Sequence, residues 1–256
     1  MRILLTAIVA LGLAACVPLS EPDLEQSTTA DLSTLGGPCD HRYWPLRDGA
    51  TWTYTISGRP DLTGEVTLST RSVDAQTAQL LTGEYAAEVT CTGGAIVGLP
   101  PGLFGAGHPD LAADLQATSV NGQFLAAPES LIAAEAGTTW DHELDPTGAI
   151  GLPINGQPES TPVRGGKMVV FDRLLGREQV ATPAGTFDAL AIQSEVFYQM
   201  QVPGTEVVIS TTVVWYFAEV VGPVRLDFQG GTVSSPEGAW PLDGGIQLLL
   251  NAVTLP

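Results

Sequence analysis

A single lysine, Lys167, and nine arginines stand against 28 acidic residues in this 256-residue chain, giving a formal net charge of −18. A field of that sign repels phosphate backbones, which excludes nucleic acid as a partner. It also repels anionic lipid headgroups, so membrane contact has to come from an anchor rather than from a basic face. Cysteines number three and no two are spaced C-x-x-C, which argues against dithiol redox chemistry and against a cysteine-based zinc site. The three histidines, His41, His108 and His142, have no second histidine at ligand spacing. Asp141-His142-Glu143 is the one local donor cluster, and successive strand residues point to opposite faces, so these three do not converge on a metal. Nucleophile elbow, Walker loop and dinucleotide fingerprint are all missing. Charged residues make up only 15% of the chain against 44% hydrophobic ones, the balance of a folded domain rather than a disordered one.

The N-terminus carries the first positive signal. Arg2 precedes Ile3 to Ala15, an uncharged and mostly apolar run that is too short to span a bilayer but right for a signal-peptide core. Leu13-Ala14-Ala15-Cys16 then resembles the lipobox of bacterial lipoproteins. The resemblance implies cleavage before Cys16, diacylglycerol on its sulfur and a fatty acyl chain such as palmitate on its amine. Two or three acyl chains on one residue hold stably where one holds weakly. Removal of Arg2, the only charge among the first fifteen residues, takes the mature chain to −19. Val17 stands where an aspartate would retain a lipoprotein in the inner membrane. The expectation is therefore the outer membrane of a two-membrane cell, or the outer face of the cytoplasmic membrane otherwise. Residues 17–38 are rich in Ser, Thr, Pro, Gly and acids and read as a flexible tether, so the expected organisation is 1–15 signal peptide, 16–38 tether and 39–256 a single β-rich domain.

Cys39 and Cys91 remain once Cys16 is lipidated, an even pair in an oxidising compartment. A disulfide is the expected arrangement, with two separate buried thiols as the alternative. With 29 glycines and 19 prolines the chain is richly punctuated by turns. Between them lie strand patterns: Glu65 to Arg71, Ala86 to Cys91, Ala95 to Gly98, Lys167 to Leu175, Ala189 to Gln201, Glu206 to Phe217, Val224 to Phe228 and Ile246 to Leu255. In Ala189 to Gln201, Leu190, Ile192, Ser194, Val196, Tyr198 and Met200 share one face, while Gln193, Glu195, Gln199 and Gln201 lie opposite. The predicted fold is all-β, a large curved antiparallel sheet, half-barrel or sandwich-like, with long loops and at most one or two short helices. Residues 99–135 read as an irregular excursion with helix-compatible stretches at Asp110 to Ala117 and Glu129 to Glu135, and 145–165 and 229–245 as further loops. A faint internal echo sets Asp48 to Tyr54 against Ala136 to His142, each entering a strand through a glycine turn.

Tyr43-Trp44-Pro45-Leu46 with Gly49 and Trp52-Thr53-Tyr54, then Thr182-Pro183-Ala184-Gly185-Thr186-Phe187-Asp188-Ala189, then Trp215-Tyr216 with Val221-Gly222-Pro223-Val224, together resemble a group of uncharacterised bacterial envelope lipoproteins. That group carries no established activity, so the resemblance implies a fold and no catalytic residues. At the level of fold the pattern is also similar to the half-barrel lipoprotein carriers of the periplasm. The functional expectation is a membrane-anchored, extracytoplasmic and non-enzymatic lipoprotein without a cofactor or metal. It would bind an apolar ligand or an envelope partner, its partner being a lipid, a glycan or an envelope protein. A purely structural or assembly role and, less favoured, a hydrolase are the alternatives. Trp44, Trp52, Trp140, Trp215 and Trp240 either fill the core or line a concave face.

Overall fold

The structure, a computed structural model, describes residues 39–256 apart from 61, 84, 93–94, 99–112, 122–133, 155–156 and 164. The expected signal peptide, Cys16, the expected tether and His108 therefore lie outside the described residues, as do 99–112 and 122–133 of the expected excursion.

Sixteen strands and no helix are found among the described residues. A two-stranded ribbon, β1 (Asp40–His41) and β2 (Trp44–Pro45), precedes fourteen strands that join in one antiparallel sheet. These are β3 (Thr51–Ser57), β4 (Gly64–Ser72), β5 (Thr77–Thr82), β6 (Tyr85–Thr92), β7 (Ala95–Val97), β8 (Ala113–Asn121), β9 (Thr139–Ile154), β10 (Gln157–Val163), β11 (Gly166–Thr182), β12 (Gly185–Val202), β13 (Thr205–Ala218), β14 (Gly222–Ser235), β15 (Gly238–Leu242) and β16 (Ile246–Thr254). The order runs β10-β9-β11-β12-β13-β14-β16-β3-β4-β5-β6-β7, with β15 on β14 and β8 on β9. The C-terminal strand β16 thus stitches the first strands to the long central hairpins, and the path does not close into a barrel among the described residues.

Three stretches differ from expectation. Asp110 to Ala117 reads as helix-compatible, yet Ala113–Asn121 is strand β8, paired along β9. Residues 145–165 are not a loop: β9 continues to Ile154 and β10 returns beside it, with Pro158 opposite Pro153. Residues 229–245 likewise hold the end of β14 and the whole of β15. In β10 and β15 proline and glycine masked the strand: they break central strands but are tolerated at a sheet's margin, where one edge of the strand needs no donor, and both strands lie there. Strand β8 carries neither residue, and its pairing along β9 overrides a helix-compatible sequence.

Side-chain alternation drives the long strands. In β11, Met168, Val170, Asp172 and Leu174 are buried between exposed or half-buried neighbours, and in β12 the buried set runs Ser194, Val196, Tyr198, Met200 and Val202. Nearer the N-terminal ribbon the sheet is covered on both sides, and Val214 to Ala218 are all buried. Trp44, Trp52, Trp215 and Phe217 form the aromatic centre. The Trp44 and Trp52 rings meet edge to face at 6.4 Å, and Trp215 stacks on Phe217 at 5.9 Å. Trp52 donates its indole N–H to the Val221 carbonyl at 2.6 Å, and Tyr54 its hydroxyl to the Pro223 carbonyl at 2.8 Å. Gly222 lies between those two carbonyls at φ +105°, and a Cβ there would sit 2.9 Å from the Trp52 indole nitrogen. Only glycine fits. The ribbon is held by a Cys39–Cys91 disulfide to β6, by Arg42 paired with Glu219 at 2.6 Å, and by the hydrogen bond from Arg177 to the Tyr43 hydroxyl.

The sequence echo has a structural counterpart. Gly49 donates to the Thr70 carbonyl and Thr70 back to that of Ala50; Gly137 donates to the Leu174 carbonyl and Leu174 back to that of Thr138. Ala50 donates to Arg47, and Thr138 to Glu135, in the same way. Trp52 faces Leu68 in the first corner as Trp140 faces Asp172 in the second. The molecule therefore contains two copies of one corner, each launching an aromatic strand.

Candidate functional site

The second corner differs from the first on both faces. On its inner face, Asp172 takes the place of Leu68, His142 that of Tyr54, and Ser194 that of Thr82. All three are buried: Ser194 donates to Asp172 Oδ1 at 2.5 Å, and His142 Nδ1 lies 3.2 Å from Asp172 Oδ2. Serine, histidine and aspartate in one cluster invite comparison with a catalytic triad. The wiring is different. In a triad the serine hydroxyl bonds the histidine, which takes its proton, and the carboxylate stands behind. Here the carboxyl sits between the other two and receives the serine's hydrogen bond itself. The cluster ties β9, β11 and β12 together.

On the outer face the same three strands carry a groove of about 340 Å³ lined by Thr139, Asp141, Phe171, Arg173, Gln193 and Glu195, with Trp140 and Asp172 at its floor. Strand register arranges the outer residues as a grid. Asp141, Phe171 and Glu195 form one cross-strand row, and Thr139, Arg173 and Gln193 the next. Phe171 is 49% exposed and Phe197 42%, and their rings meet edge to face at 5.9 Å. Aromatic rings bury 150–250 Å² each when covered, so leaving two of them in water is unusual for a monomer surface. The corresponding row of the first corner begins with Thr53 and Thr67, whose hydroxyls bond each other at 3.1 Å. The corner itself has no need of an aromatic at this place.

Of the residues singled out from sequence, Asp141 is exposed, His142 buried and Glu143 half-buried, so the triplet splits between faces, and no group that could hold a metal ion occurs among the described residues. Glu143 instead pairs with Lys167 at 2.8 Å. Asp40 receives Arg47 at 3.0 Å, which fixes the corner beside Cys39. Trp44, Trp52 and Trp215 belong to the core, and Trp140 and Trp240 are half-buried. A second polar group, Arg225 bidentate to Asp227 at 2.6 and 2.7 Å and 5.0 Å over the Tyr216 ring, is fully engaged with itself. Burial raises the Tyr216 phenol to about 12, with the Asp227 charge adding to it, and raises Tyr54 well above its ordinary value.

Sequence reasoning missed Phe171 and Phe197. The signal was present for Phe197, which stands on the polar face of β12 among Gln193, Glu195, Gln199 and Gln201. An aromatic on the wet side of a clean alternation marks a surface that is not meant to stay wet.

A family model described as DUF3108-like matches residues 49–228, from the first corner into β14. Three solved structures are similar in fold. One is reported as that of an exported protein with a YmcC-like fold from Bacteroides fragilis, at 12% identity and a TM-score of 0.51 over 84% of this chain and 100% of that one. A lipoprotein from Parabacteroides distasonis matches at 11% identity and 0.45, covering 84% and 99%, and the hypothetical lipoprotein YmcC of Escherichia coli at 8% and 0.35, covering 88% and 92%. No curated protein matches the sequence.

Proposed function

Taking as premise that the chain belongs to the DUF3108-like family, we infer that it is an envelope lipoprotein, anchored through lipid on Cys16, whose β domain is a non-enzymatic docking module for another envelope protein. The exposed Phe171–Phe197 pair beside the outer groove carries this reading. Two rings held by three long central strands form a rigid anchor surface of the kind that dominates interface energetics once covered. The structure matched at a TM-score of 0.51 is named as that of an exported protein, which agrees with the expected export signal and supports placement outside the cytoplasm. An apolar ligand inside the sheet has less support, since three of the five tryptophans are spent in the core. A hydrolase also has less support, because Ser194 bonds the carboxyl group rather than the histidine.

The reading is tested by placing a photo-crosslinking phenylalanine analogue at position 197 in cells, and separately at Gln79 on β5. The expectation is a discrete adduct from position 197, absent from position 79 and abolished by Phe171→Asp. No adduct from position 197 would remove the docking surface.

A further inference from the structure

We propose that the outer groove of the second corner recognises a basic segment of its partner, an arginine or lysine side chain lying over the Phe171 ring between Asp141 and Glu195. This deepens the docking reading above and rests on it. Phe171 pairs with Asp141 on β9 and with Glu195 on β12, so an exposed ring is flanked by one carboxylate on each side in a single cross-strand row. Directly opposed residues on one face stand about 4.5–5.5 Å apart at Cβ, within reach of one guanidinium or ammonium group. A ring face attracts such a cation, and flanking carboxylates accept its hydrogen bonds.

The cations nearby do not satisfy this row. Lys167 is bound to Glu143, and Arg173 belongs to the next row with Thr139 and Gln193. Phe197 continues the surface towards Val169 and Glu143, giving an apolar step for a neighbouring aliphatic side chain. The first corner supplies an internal comparison: Thr53 and Thr67 occupy the places of Asp141 and Phe171 and bond to each other, so neither acid nor ring is a requirement of the fold. The charge of the whole chain points the same way. At −18, self-association and acidic partners are opposed, while a basic partner is steered in.

The test uses the soluble domain from residue 17 and a labelled peptide alternating lysine and leucine, beside the same peptide with every lysine acetylated, at about 0.15 M salt, where long-range attraction is screened. Fluorescence anisotropy is expected to show binding of the lysine peptide alone, weakened about tenfold, or 1.4 kcal/mol, both by Asp141→Asn with Glu195→Gln and by Phe171→Ala with Phe197→Ala. The second pair leaves charge unchanged. Glu88→Gln with Glu237→Gln, an equal charge change at exposed sites elsewhere, should leave affinity within a factor of about two. Equal weakening by that control pair would show diffuse attraction and overturn the proposal, as would equal binding of the acetylated peptide or no binding at all. Crosslinking from position 197 that persists while the lysine peptide fails would leave the docking surface standing and remove only its preference for a cation. All substituted residues are surface residues, and each variant is checked for an unchanged melting temperature.

Discussion

Ser194→Ala removes one hydroxyl from the buried cluster under the groove, and the structure sets the cost. Ser194 and Asp172 are 4% and 3% exposed, and the hydroxyl donates to Asp172 Oδ1 at 2.5 Å. Without it that oxygen stays buried with no water to replace the donor, a loss of about 2 kcal/mol. For a domain of this size each kcal/mol moves the melting temperature by about 2–4 °C, so the variant should melt about 4–8 °C below wild type. Asp172→Leu combined with Ser194→Val should behave differently. It gives the second corner the residue that the first corner carries at the same place, Leu68, and no carboxyl is left unmet. His142 still loses its Asp172 partner, so the double variant should not be neutral but should cost less than Ser194→Ala and Asp172→Leu summed. Circular dichroism melts of wild type, the single variant and the double variant make the comparison. A Ser194→Ala melt indistinguishable from wild type, or a double variant worse than Ser194→Ala and Asp172→Leu summed, would refute the account of the cluster as an internal tie.

Cys39→Ala with Cys91→Ala opens a loop of 52 residues in sequence separation, about 4 kcal/mol in the chain-entropy view, and should lower the melting temperature by about 8–16 °C; a loss under about 2 °C would mean that the ribbon is held by its side-chain contacts alone. Gly222→Ala places a Cβ 2.9 Å from the Trp52 indole nitrogen at positive φ and should destabilise by about 2–4 kcal/mol, whereas Gly83→Ala, with open space at its Cβ, should cost about 1 kcal/mol from its φ alone. Tyr216 ionises at about 12 in the folded state against about 10 unfolded, so it adds stability that is complete below pH 10 and lost as pH rises towards 12. A tyrosinate absorbance titration of Tyr216→Phe should lack that step, and an unchanged titration would contradict the assignment. A fluorophosphonate probe should leave Ser194 unlabelled, and labelling there would revive the hydrolase reading.

Much of the fold was legible because alternation is a strong signal in strands with one wet face. The face assignment read from Leu190 to Met200 is the one the structure has. Where the reading failed, at Ala113–Asn121, Gln157–Val163 and Gly238–Leu242, the strands lie at the sheet's margin. In Gln157–Val163 and Gly238–Leu242 proline and glycine cost little at that margin, while Ala113–Asn121 carries neither and is drawn into the sheet by its pairing along β9. The site was less legible for a different reason. Asp172 and Ser194 are twenty-two residues apart, Asp141 and Glu195 fifty-four, and only the register of β9, β11 and β12 brings them together. Sequence held one clue, Phe197 among glutamines, and a second in the echo of the two corners, which shows that the corner requires neither an acid nor a ring at these places.

The most direct test of the account is the intact mass of the protein purified from membranes, beside a Cys16→Ser variant. The account predicts a chain beginning at Cys16 with a diacylglyceryl group and an additional acyl chain or free amine, found with the membrane fraction, while the variant is released as a soluble protein. A chain that begins at Cys16 without lipid, or that retains residues 1–15, would contradict the anchor and with it the envelope docking role.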